Sequence, residues 1–219
     1  WGFARVLRLE HTGLRTQTAE AAPSADIAPS LALSAPSQEA ETAWRGTRCF
    51  VARLRPCVAA SESNQARTRG LYVIMGGLGG LGMRSAALLV EGGASAVVLA
   101  SRGGRVARDG QGLKAQLRSM STEATVVACD SADATDASVM LSFSSLTGVL
   151  HAAGVLRDRI LRSMVANDLD ASFAPKALAA SHVHSIMARP ALDVFGLFSS
   201  VASTVGNVGQ GNYAAANAY

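Results

Sequence analysis

Two residues near the C-terminal end of the 219-residue sequence, Tyr213 and Asn217, stand four apart and so share one face of a helix. A tyrosine so placed can protonate a forming alkoxide if a nearby ammonium lowers its pKa from about 10. Lysine is scarce: only Lys114 and Lys176 occur among 20 basic residues, and Lys176, in Ala174-Pro175-Lys176-Ala177, is the candidate for that charge. Ser199-Ser200 supply hydroxyls a short distance upstream of the tyrosine.

A second cluster lies between Met75 and Gly82, which reads Met-Gly-Gly-Leu-Gly-Gly-Leu-Gly. Gly76, Gly77, Leu78, Gly79, Gly80, Leu81 and Gly82 follow an apolar run and precede a helical pattern, the context that gives such a motif meaning. Glycine lets the backbone turn sharply and approach a pyrophosphate, while the helix N-terminus offers free N–H groups to the phosphates. Ser101-Arg102-Gly103-Gly104 ends the next apolar run, with no acid before Asp109. An arginine there can pair with a ribose 2′-phosphate through its planar fork, whereas an NAD site usually carries a carboxylate. NADPH is therefore the expected cofactor.

These residues need elements to hold them, and from residue 71 the rhythm is βαβα. Apolar runs at 71–75, 96–100, 124–129, 147–154 and 192–200 read as strands. Helical patterns fill 80–91, 111–119, 134–145 and parts of 158–187, and a last helix opens near Asn212. Continuous apolar strands alternating with helices imply a doubly wound, Rossmann-like parallel sheet of the α/β class. In front, residues 1–10 have the spacing of a short amphipathic helix, and 16–40 read as a linker with at most a short helix. Residues 41–56 read as two strands around Arg45-Gly46-Thr47, and the polar stretch 59–70 as a boundary.

So read, the sequence resembles the ketoreductase domains of modular polyketide synthases, within the short-chain dehydrogenase/reductase superfamily. GGLGGLG, SRGG, the Cys129-Asp130 pair, HAAGVL, APKA, LFSSVAS and GQGNYAAANA match successive motifs of the catalytic subdomain. WGFARVLRLEH and ETAWRGTRCFVARLRP resemble the family's truncated structural subdomain, so the expected division is 1–65 structural and 66–219 catalytic. The resemblance implies Tyr213 as proton donor, Ser200 as the hydroxyl on the ketone, and Lys176 on the ribose. Asn217 matches the asparagine that has exchanged places with the lysine of ordinary superfamily members. Asp130 matches the residue beside the adenine, and Ala152, Ala153 and Gly154 the strand end along the cofactor. Two positions depart from the pattern: Met75, where a small or hydroxyl residue is common, and Arg157, where the family has an aspartate.

The resemblance implies an NADPH-dependent reductase of carrier-bound 3-ketoacyl thioesters, partnered by an acyl carrier protein domain and by other domains of its own chain. An animal-type fatty acid synthase reductase and a catalytically silent scaffold domain are the competing readings. Asp158 is retained in the Leu156-Arg157-Asp158 triplet and Val205 replaces a tryptophan eight residues before Tyr213, which favours the D-hydroxyl product. Asp158 is thus the expected substrate-orienting residue. Because the chain starts without methionine and stops in a helical stretch, it is expected to be a C-terminally truncated piece, inactive or poorly folding alone.

Composition narrows the alternatives. Apolar residues make up 49 % of the chain, enough for a buried core, and the net charge of +4 is spread without a basic stripe, against a nucleic-acid surface. Cys49, Cys57 and Cys129 form no metal-ligand pattern, and no metal site is expected. Scattered thiols suit a reducing, cytoplasmic setting, and no apolar run reaches the roughly 20 residues that span a bilayer.

Overall fold

Leu71–Met75 is apolar along its whole length because it lies at the centre of a sheet covered on both faces, and it forms strand β4. The computed structural model describes residues 1–21, 39–57, 68–106, 109–120, 123–188 and 192–219. In it β4 is flanked by β5 (Ala96–Ser101) and β6 (Ala124–Ala128) on one side, and by β7 (Leu146–His151) and β8 (Val194–Leu197) on the other. The order is β6-β5-β4-β7-β8 and every pairing is parallel. The chain leaves β4 toward one edge, then crosses back over it to β7. That reversal opens a crevice beyond the carboxyl ends of β4 and β7, where open α/β sheets bind ligands.

One face of the sheet buries Tyr72, Ile74, Val97 and Leu99 against helix α2 (Gly80–Glu91), which turns Gly82, Met83, Ala86 and Ala87 inward at helical spacing. Helix α3 (Leu113–Ser119) adds Leu113 to this core. The other face buries Val73, Met75, Val98 and Val149 against Met140 of α4 (Ala134–Met140) and Val183 of α6 (Ala179–Met187). Asp133 caps α4, its side chain accepting from Thr135 N and Asp136 N, both at 2.9 Å. Helix α4 ends at Met140, short of the expected 145.

The stretch expected to be helical over 158–187 is more broken. Its first part holds only a 3₁₀ turn, Leu161–Ser163. Helix α5 (Ala166–Phe173) then passes through a π-turn, Ala174–Leu178, into α6. Pro175 has no N–H to give, and the wider turn accommodates it without ending the helix. Two short helices close the chain, α7 (Val201–Val205) and α8 (Gly211–Ala218); α7 lies where a loop is expected.

The front segment forms a separate three-stranded sheet. Strand β2 (Glu41–Arg45) turns at Gly46, φ +59°, into antiparallel β3 (Arg48–Phe50), as expected. A parallel strand, β1 (Thr18–Ala21), pairs with β2 and corrects the expectation of a linker there. Residues 22–38 and most of 59–70 lie outside the described residues. Helix α1 (Gly2–Glu10) buries Val6 with Ala202 of α7 and Ala214 of α8. Gly2 permits this approach, since a Cβ there would lie 2.1 Å from the Ala214 carbonyl oxygen. Trp44 is buried, whereas Trp1 is exposed beneath the Arg5 guanidinium.

Candidate functional site

The glycine turn folds as its residues dictate. Gly76 has φ +76°, and a Cβ on it would sit 2.5 Å from Ala153 N, so the turn can press against the end of β7 only as glycine. A Cβ on Gly82 would meet the Gly76 carbonyl oxygen at 2.4 Å, and one on Gly77 the Leu99 Cα at 2.8 Å. Gly76 N and Gly77 N both donate to Ala100 O, at 2.8 and 3.0 Å, pinning the turn to β5. Gly79 stands at the N-cap of α2 with no side chain capping the helix, which leaves the first N–H groups for a ligand. Leu78 is buried, while Gly80 and Leu81 are exposed.

Above this turn runs an open groove of about 430 Å³, lined by Gly76, Leu78, Gly79, Ser101, Arg102, Asp130, Ala152, Ala153 and Gly154, all expected at a cofactor site. Gly77, Gly80, Leu81 and Gly82 do not line it; Gly77 and Gly82 serve the close packing beneath. Ser101 Oγ is buried here without a hydrogen-bond partner. Arg105 also lines the groove and went unread in the sequence, although its signal was present as a second arginine beyond β5. Asp130 accepts from Ala132 N at 3.1 Å. Burial pushes the neighbouring Cys129 thiol up to about 11, so it stays protonated at neutral pH.

The expected catalytic residues come from three elements. Lys176, on the π-turn, is 7 % exposed and passes Gly154 to donate from Nζ to Phe198 O at 2.7 Å. Its burial holds the ammonium below its ordinary pKa. Ser200 caps α7: its Oγ accepts from Ala202 N at 3.2 Å, leaving its hydrogen free to donate. Tyr213 and Asn217 lie on α8, which packs against both α7 and the π-turn. Asn217 Nδ2 donates to Tyr213 O at 2.8 Å, and its buried Oδ1 has no partner. Ser199 instead donates to Asn217 O at 2.8 Å, a structural bond at the strand end.

Two residues that sequence reasoning did not single out orient this helix. Asn212 is fully buried, donating from Nδ2 to Arg157 O and Asp168 O, both at 2.9 Å, and its Oδ1 accepts from Tyr213 N at 2.8 Å. Gln210 Nε2 donates to Asp158 Oδ2 at 3.0 Å, so Asp158 joins the segment after β7 to the entry of α8. His151 is buried at the end of β7. His182 lies half-buried, with an unpartnered Nδ1. Among the described residues no cluster of side chains could hold a metal ion, and no helix is long and apolar enough to cross a membrane.

Comparison with known proteins agrees with this geometry. The family model of the KR domain matches residues 70–219. Polyketide synthase GfsA of Streptomyces halstedii is 42 % identical over 186 residues, 83 % of this chain and 2 % of its own length. A phenolphthiocerol/phthiocerol polyketide synthase of Mycobacterium tuberculosis is 37 % identical over 233 residues, covering 100 % of this chain and 12 % of its own length. The solved structure of an A1-type ketoreductase superposes with a TM-score of 0.86 at 34 % identity, covering 100 % of this chain and 48 % of that one. The chain thus spans about half the length of that solved ketoreductase and a small part of the synthases. With its parallel Rossmann-like sheet, glycine turn and matching residues 70–219, the chain belongs to the KR domain family, the nicotinamide-dependent ketoreductases of polyketide synthases.

Proposed function

We propose that the chain reduces a carrier-bound 3-ketoacyl thioester to the 3-hydroxyacyl thioester with NADPH. The observation that carries this reading is the groove between the glycine turn and Arg102/Arg105, leading to the π-turn that bears Lys176. The fit to a dinucleotide is supported by the Cβ-free cradle of Gly76 and by the orphaned, buried Ser101 Oγ. When bound, the reduced nicotinamide supplies hydride to the β-carbon. Gly76, Leu78 and Gly79 would receive the pyrophosphate, Asp130 the adenine, and Ala152, Ala153 and Gly154 the length of the cofactor. Ser200 donates its free hydrogen to the ketone oxygen, and Tyr213 gives that oxygen its proton. Lys176 favours the phenolate left behind and holds the ribose.

In this reading residues 1–65 are a structural subdomain and 66–219 the catalytic one. The carrier is an acyl carrier protein domain working with other domains of the same cytoplasmic synthase. The test is reduction of a 3-ketoacyl thioester by the full-length polypeptide, followed at the NADPH absorbance, with chiral chromatography of the product. Asp158 is the proposed substrate-orienting residue, and a D-hydroxyl product is expected. An L product would remove Asp158 from that role, and no NADPH consumption would overturn the reaction.

Cofactor choice is tested at Arg102. Removing a bidentate charged contact costs ~1.5–3 kcal/mol. Arg102→Ala is therefore expected to weaken NADPH by about ten- to a hundred-fold and NADH far less, since only NADPH carries the 2′-phosphate. Equal losses in a fluorescence titration of both cofactors would show that Arg102 does not read the phosphate.

A further inference from the structure

We propose that Glu10, at the end of α1, is a positioning residue for the reduction, its carboxylate clasping the two loops that flank Tyr213. Oε2 accepts from Leu161 N at 2.6 Å and Oε1 from Gly209 N at 2.9 Å. Leu161 opens the 3₁₀ turn in the segment after β7, where a first-turn N–H has no partner of its own. Gly209 lies four residues ahead of Tyr213 in a turn with φ +80°, and its carbonyl accepts from Arg159 N at 2.7 Å. One carboxylate therefore binds both loops at the point where they already touch.

The clasp is fixed from behind. Val6 and Gly2 seat α1 against α8, and the Arg5 guanidinium donates to Ser203 O of α7 and to Glu41 of β2. Glu10 thus links the front segment to the entry of the tyrosine helix, beside the Asp158–Gln210 contact. The carboxylate touches neither cofactor groove nor tyrosine hydroxyl, so it acts through backbone placement. The inference rests on Tyr213 being the proton donor.

The test is Glu10→Gln in the full-length polypeptide, assayed with a 3-ketoacyl thioester. Glutamine keeps the shape but offers one oxygen, and its NH₂ faces an N–H. The expected result is a fall in kcat of about tenfold, because small displacements of a reacting group are costly, with KM and NADPH affinity changed by less than about twofold. Glu20→Gln, which breaks the exposed pair with Arg45, should match the unmodified protein. Unchanged kcat in Glu10→Gln, or a parallel loss of NADPH affinity, would overturn the inference. Should that variant not fold, hydrogen exchange of the unmodified protein decides: protected Leu161 and Gly209 amides support the clasp, and free exchange overturns it. An unmodified protein that consumes no NADPH would instead overturn the reductase reading, with exchange still judging the clasp.

Discussion

Replacing Tyr213 with phenylalanine is expected to lower ketone turnover by about 100-fold or more, the scale of losing a positioned general acid. The change deletes one hydroxyl and spares everything else that places the residue. Its ring packs against Val6, Ala202 and Ala214, its N–H bonds Asn212 Oδ1, and its carbonyl accepts from Asn217 Nδ2. None of these contacts uses the phenolic oxygen, so the fold and NADPH affinity should persist. Single-turnover measurement of kcat, beside a cofactor titration, separates the two effects. Turnover retained in Tyr213→Phe would exclude the hydroxyl as the proton source.

The second large effect is on stability in acid. His151 is 2 % exposed, and burial, reinforced by the Lys176 charge, holds its imidazole down to about 4 from the ordinary 6.5. Neither ring nitrogen has a partner at hydrogen-bonding geometry, and the nearby Lys176 and Pro175 backbone opposes the shift without cancelling it. The folded protein thus keeps His151 neutral while the unfolded chain takes up a proton below pH 6.5. Its contribution to stability is fully present above pH 6.5 and is lost as the pH falls toward 4, by about 3 kcal/mol in total. His151→Leu should flatten that part of the curve when urea midpoints are compared at pH 7 and pH 4.5. An unchanged acid loss in the variant would assign the instability to other groups.

The parallel sheet was legible because its information is local: continuous apolar strands, glycine at the turn, and helical spacing over 80–91 all agree. Strand β1 escaped because Thr-Ala-Glu-Ala has little intrinsic strand character; pairing with β2, more than twenty residues away, makes it a strand. The proposed reacting residues were picked out by type and motif order, but the groups that hold them could not be. Asn212 bonds carbonyls 55 and 44 residues away, and Glu10 bonds amides 151 and 199 residues away. Such partners are set by tertiary packing, and no periodicity announces them. Arg105 was missed for a simpler reason, being one arginine in a chain full of them.

The π-turn at Ala174–Leu178 makes the length of this segment matter as much as its composition. A π-turn is a helix carrying one residue more than the α-helical path needs. Deleting a single residue there would restore that path and leave the helix beyond it in phase. Val183 would stay buried beneath the sheet, but the turn that carries Lys176 toward Phe198 O would close up. An alignment that tolerates a one-residue gap in this helix would therefore erase the geometry while leaving Ala-Pro-Lys-Ala intact to the eye. Any search for active homologues, or any design that shortens this helix, has to count residues between Phe173 and Ala179 before comparing them.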